Sequence, residues 1–236
     1  MRVIAGTFRS RPLLSPRGTL TRPTSDRLRE TLFNILQPRI QAARFADLYA
    51  GTGAVGIEAI SRGAAHVLFA ERADPALANL RANLRSLGIT SGFTLEPRSA
   101  ISALDRALNL IPDRNPDLIT DRNPDRNPDH TPDQPPDQPP DRAHTPDPRR
   151  PSPAALDIVF LDPPYEAAAD YANTLALLGS HRAQPLLAPD ALIVAEHSSK
   201  APLPVSFGSL HQTRTLRQGD AALTFYAPAQ RTPEQP

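Results

Sequence analysis

Cysteine is absent from this chain, and a single lysine, Lys200, leaves arginine to supply nearly all of the positive charge. Without thiols there is no disulfide framework, no thiolate metal site and no cysteine nucleophile, which suits a reducing cytosol. The histidines do not make up for the missing ligands. His66, His130, His144, His181, His197 and His211 are scattered, with no pair three or four residues apart to place two imidazoles on one helix face. Long apolar runs are lacking too. The amino-terminal MRVIAGTFRSRP is interrupted by arginine before the core of an export signal could form, and no stretch approaches bilayer-spanning length. These absences point to a soluble, cytoplasmic protein with no metal and no membrane partner.

At 236 residues the chain suits one medium-sized α/β domain with appendages. Its net charge of +1 hides an uneven distribution, because residues 1–44 hold nine arginines against only Asp26 and Glu30. Guanidinium forks match phosphate oxygens, so this basic extension is the expected nucleic-acid contact, with general arginine bias as the plainer alternative. A second unusual segment follows the middle of the chain. From Asp113 to Asp141 an aspartate recurs every fourth residue, usually after proline. Proline removes donors and the repeat offers no periodic apolar face, so residues 111–150 are expected to be a disordered insertion. Residues 229–236 read as a flexible tail.

Outside the insertion, strand and helix patterns alternate, which implies a mostly parallel sheet covered on both faces. RVIAG (2–6) reads as a short strand. A helix opens at Thr24, Ser25 or Asp26, carries Leu28, Leu32, Phe33, Ile35 and Leu36, and is closed by Pro38. FADLYA (45–50), HVLFAE (66–71), FTLEP (93–97), LDIVFLD (156–162) and ALIVAEH (191–197) read as strands. Between them lie a helix ended by Gly63, one opened by Asp74-Pro75 with Leu77, Leu80, Leu84 and Leu87 on one face and Gly88 as its cap, one capped by Ser99, and one over 168–178. A terminal hairpin around Gly219-Asp220 completes the sheet. The catalytic domain therefore spans 45–110 and 151–228.

Two motifs carry chemistry. In Asp47-Leu-Tyr-Ala-Gly51-Thr-Gly53, glycines after a strand let a ligand approach the backbone, and the following helix offers free N–H groups. Gly51, Gly53 and Gly56 also satisfy a dinucleotide-binding spacing, with Glu71 twenty residues on where an acid would bond ribose hydroxyls, so NAD is a competitor at this point. Asp47, inside the strand, favours a ligand bearing an ammonium group, as S-adenosylmethionine does. The second motif, Asp162-Pro163-Pro164-Tyr165, ends a buried strand. An exocyclic amine conjugated to a base is a poor nucleophile. A carboxylate and the Pro163 carbonyl can accept its hydrogen bonds and aim its lone pair, while consecutive prolines keep the turn rigid and Tyr165 offers a face for a flipped base.

On these residues the chain resembles the RsmD family, bacterial methyltransferases that modify N2 of a guanine in small-subunit (16S) ribosomal RNA. RVIAG (2–6), RPTSDRLRETLFNIL (22–36), DLYAGTGAVGIEAISRGA (47–64) and DPPY (162–165) match the family pattern in order and spacing, apart from the insertion. The resemblance implies a Rossmann-like, class I fold dependent on S-adenosylmethionine, with a seven-stranded, mostly parallel sheet, an antiparallel carboxy-terminal hairpin and a small amino-terminal extension. It implies Asp47, Gly51 and Gly53 at the cofactor's amino-acid end, Glu71 at its ribose, and Ser99 and Ala100 at its adenine. Serine stands there where the family usually has Asn or Asp. Asp162, Pro163, Pro164 and Tyr165 would hold the target base, and Arg22 and Arg27 would meet RNA. The expected protein is a monomer that methylates 16S rRNA in the small ribosomal subunit. Alternatives are a DNA amino-methyltransferase acting on adenine N6 or cytosine N4, an NAD-dependent oxidoreductase, and a non-catalytic RNA-binding assembly factor.

Overall fold

The computed structural model describes residues 1–15, 26–111, 155–164 and 168–229. Outside the described residues lie Arg22, the cap candidates Thr24 and Ser25, nearly all of the insertion, Tyr165 and the tail from 230 on.

Helix α1 (Asp26–Ile40) forms where apolar residues recur at helical spacing, and it buries Leu28, Leu32, Phe33, Leu36 and Ile40. Pro38 does not close it, contrary to expectation. The ring removes only one backbone donor, and Ile40, 1% exposed, anchors the turn beyond it. There follow β1 (Arg44–Asp47), α2 (Ala54–Ser61), β2 (His66–Ala70), α3 (Asp74–Ser86), β3 (Phe93–Glu96), α4 (Ala100–Asn109), β4 (Leu156–Leu161), α5 (Ala168–Leu178), a short 3₁₀ turn (His181–Leu186), β5 (Leu187–Ser198), β6 (Ser206–Phe207), β7 (Leu210–Gln218) and β8 (Ala221–Pro228). Strand β1 is shorter than the apolar run 45–50, because the chain turns after Asp47.

The eight strands of the described residues lie in one sheet, ordered β3-β2-β1-β4-β5-β8-β7-β6. The first five are parallel, and β8, β7 and β6 add antiparallel pairs. The strand beyond the seven expected is β6, whose two residues are too few for a periodic signal. RVIAG, by contrast, is no strand: Arg2 makes one isolated bridge to Pro12. The amides of Ile4 and Ala5 are taken by the Glu58 carboxylate, at 2.7 and 2.9 Å, instead of by a neighbouring strand.

Alternation along the strands sorts side chains into two cores. In β4, Ile158 and Phe160 join the face covered by α1, α2 and α3, while Val159 and Leu161 join the face covered by α4 and α5. Helices on both faces leave ligands only the sheet's edges, and that directs attention to the carboxyl ends of the parallel strands.

Candidate active site

From β1 the chain winds outward through β2 and β3, then re-enters on the other side of β1 as β4. Such a reversal opens a crevice at the carboxyl ends of the two strands. Register places Asp47 of β1 opposite Phe160 of β4, and the Leu48 N–H donates to Phe160 O at 3.1 Å. The loop at 48–53 and the segment 162–164 therefore leave the sheet side by side.

The loop is shaped by its glycines. Gly53 has φ +82°, and a side-chain carbon there would meet Leu80 Cδ1 of α3 at 2.2 Å. Gly56 lets α2 lie directly on β2, where an added carbon would sit 2.2 Å from Phe69. Beneath the loop Asp47 is 1% exposed, and its Oδ2 accepts from the Gly56 N–H at 2.9 Å. Burial pushes its carboxyl up to about 7, with the nearby Glu71 charge adding to the rise and the Gly56 bond opposing it. Above β2, Glu71 braces the loop from the other side. Its carboxylate accepts from the amides of Gly51 at 2.8 Å and Ala73 at 2.7 Å. Asp47, Gly51, Gly53 and Glu71 thus gather about one loop, with Glu71 bonded to Gly51 and Asp47 bonded to Gly56 in the first turn of α2.

On the β4 side, Asp162 is half-buried, Pro163 buried and Pro164 exposed. The Tyr171 hydroxyl, on α5, donates toward Pro163 O at 3.1 Å and Glu196 O at 2.8 Å, which holds the turn after β4 against β5. A carbonyl oxygen has two lone pairs, so one remains for a further donor. Tyr49, within the glycine loop, meets Thr174 of α5 at 2.9 Å and ties the two halves of the crevice together. Burial raises the Tyr49 phenol above its usual range. Sequence reading missed both tyrosines, since Tyr49, although inside the glycine-loop motif, and Tyr171 acquire their roles from partners distant along the chain.

Ser99 caps α4 as expected, its Oγ accepting from the Ser102 N–H at 3.3 Å, and Ala100 is buried behind it. Both sit at the carboxyl end of β3, two strands from β1 along the same edge. Arg27 is exposed on the first turn of α1, whereas Arg22 and Tyr165 lie outside the described residues. The basic block is not a uniform surface. Arg29 is fully buried, donating to Arg2 O and to Asp26 at 3.0 Å, and burial lowers its pKa. Arg39 pairs with Asp190 at 2.9 Å and Arg11 donates to Ser86 O at 3.0 Å. Arg2, Arg9 and Arg27 remain exposed.

Also missed were Glu58 and Asn83. Glu58, fully buried, gathers the Ile4 and Ala5 amides and Arg62 Nε at 2.8 Å. Asn83 interrupts the apolar stripe Leu77, Leu80, Leu84 and Leu87, and a polar residue on a buried face was the available signal. Among the described residues no group of three or more metal-binding side chains converges, and no helix is long and apolar enough to cross a membrane.

The model of the family described as "Conserved hypothetical protein 95" matches residues 1–112 and 143–227. A Bacillus subtilis (strain 168) protein named "Putative rRNA methyltransferase YlbH" is 30% identical over 226 residues, 96% of this chain and 98% of that one. "Ribosomal RNA small subunit methyltransferase D" of Haemophilus influenzae is 46% identical over 94 residues, which cover 39% of this chain and 47% of the relative. Among solved structures, "Putative methyltransferase yhhF from Escherichia coli" superposes with a TM-score of 0.66 at 27% identity, covering 97% of each chain.

Proposed function

Because this chain belongs to the Conserved hypothetical protein 95 family, the relationship expected from its motifs, we propose that it transfers a methyl group from S-adenosylmethionine to the exocyclic N2 of a guanine in small-subunit (16S) ribosomal RNA. The observation that carries this reading is the pairing of Asp47 with Phe160, which brings the glycine loop and the Asp162-Pro163-Pro164 turn to one crevice. The names of the similar proteins supply the substrate class.

The crevice suits the donor. Among the described residues, a side-chain carbon at Gly51 would meet nothing within 4 Å, and Glu71 stands beside that opening. The loop from Gly51 to Gly53, braced from beneath by buried Asp47, would hold the amino-acid end, Glu71 the ribose hydroxyls, and Ser99 with Ala100 the adenine. When bound, S-adenosylmethionine supplies an electrophilic methyl on a sulfonium. The chain's own residues do the rest. Asp162 and the second lone pair of Pro163 O accept the two N–H bonds of the target amine, which turns its lone pair toward the loop. Tyr171 keeps that carbonyl aimed, and Tyr165 stacks on the extruded base. Arg22 and Arg27, with exposed Arg2 and Arg9, contact RNA phosphates.

The test is to incubate the protein with labelled S-adenosylmethionine and, separately, assembled small subunits, naked ribosomal RNA and duplex DNA, and to identify the methylated nucleoside. N2-methylguanosine from ribosomal substrate is expected, whereas N6-methyladenine or N4-methylcytosine from DNA would overturn the reading. Asp162→Ala should abolish transfer while sparing cofactor binding.

A further inference from the structure

Asn83, in the last turn of α3, is fully buried and bonds two separate pieces of backbone. Its Oδ1 accepts from the Leu14 N–H at 2.7 Å and its Nδ2 donates to Leu14 O at 3.2 Å, so the carboxamide pairs with the amino-terminal arm as a neighbouring strand would. The same Nδ2 donates to Thr52 O at 2.9 Å, in the middle of the glycine loop. These contacts use both amide protons and one of the two oxygen lone pairs. Aspartate, of the same shape, could serve only the Leu14 N–H.

We propose that Asn83 is a positioning residue that couples the two ligands of this protein, so that RNA on the arm tightens cofactor binding at the loop and cofactor at the loop tightens RNA binding on the arm. The assignment of those ligands rests on the function proposed above. Both ends meet at this one side chain. Thr52 lies between Gly51 and Gly53, which have φ +55° and +82°, so its carbonyl direction sets the course of the loop through two soft residues. On the other side, the arm is fastened to α2 by Glu58 and Ser61 and to α3 by Leu14 and Arg11, with Arg9 exposed between these fastenings. A rigid planar amide between them means that ordering either end lowers the entropic cost of ordering the other. Linkage makes the effect reciprocal.

The experiment measures labelled S-adenosylhomocysteine binding to the full chain by equilibrium dialysis, with and without saturating small ribosomal subunits. Wild type should bind at least about fivefold more tightly with subunits present, the lower end of ordinary coupling between sites. Asn83→Ala should bring that ratio to about one. Leu14→Pro removes the N–H that Asn83 Oδ1 accepts on the arm and leaves the Asn83 to Thr52 bond, so its affinity without subunits should match wild type while its ratio also falls. A residue that merely stabilised the fold would not produce that split. Melting curves identify any variant that fails to fold, and Leu14→Pro carries the test if Asn83→Ala does. A wild-type ratio of one, or a wild-type ratio in folded Leu14→Pro, overturns the coupling. Absence of any binding of S-adenosylhomocysteine to wild type would instead overturn the proposed function.

Discussion

Asp47→Asn changes one buried atom and should reshape the pH dependence of stability. The carboxyl is raised from an ordinary 3.8 to about 7, chiefly by burial. Between those values the folded protein binds more protons at this site than the unfolded chain, so its contribution to stability falls as pH rises and levels off above 7. At 1.36 kcal/mol per unit, the loss between pH 5 and 8 is about 2.5 kcal/mol. Asparagine cannot titrate, so the variant lacks that slope. Its Oδ1 can still accept the Gly56 N–H, while its extra N–H, if unmet, costs about 1–3 kcal/mol at every pH. The penalty shifts the variant's curve without tilting it, so the slope is the diagnostic. For a chain of this size about 2–4 °C accompanies each kcal/mol, and the melting temperature of the variant minus that of wild type should therefore climb by about 5–10 °C from pH 5 to 8. Thermal unfolding followed by circular dichroism at constant ionic strength measures it. Parallel curves for the two proteins would refute the burial reasoning.

Other consequences follow from the same geometry. Gly53→Ala should be far more damaging than Gly51→Ala, because only at Gly53 would the new carbon strike a neighbour, Leu80 at 2.2 Å, whereas Gly51 faces open space; about 1–2 kcal/mol of left-handed strain is common to both, and equal melting temperatures would count against the loop packing described here. Glu58→Ala strips a buried carboxylate from two amides and from Arg62, and it should cost about 3–5 kcal/mol, seen as a lower urea midpoint; a loss under about 1 kcal/mol would mean the arm is held by other contacts. Replacing residues 113–148 with a short Gly/Ser linker should preserve melting temperature and methyl transfer, since the residues flanking it, Ile111 and Ala155, are already buried in one core cluster. A folded deletion protein without activity would give the insertion a role.

Helix faces, strand alternation and the turn glycines were all written locally. The stripe of α3, the Ser99 cap, the glycine loop and the Asp162-Pro163-Pro164 turn could each be read within a few residues of sequence, because the forces that set them act over one or two turns of chain. Spacing tells which face a side chain takes, but not which element lies against that face. That is why RVIAG read as a strand, although its Ile4 and Ala5 amides go to Glu58 more than fifty residues away, and why Arg29 counted as part of a basic surface although it is buried. The pairing of Asp47 with Phe160, across an intervening insertion, and the bridge from Leu14 through Asn83 to Thr52 exist only once the sheet order is established. Tertiary structure decided these, because hydrogen bonds and burial act on distance in space and ignore separation along the chain.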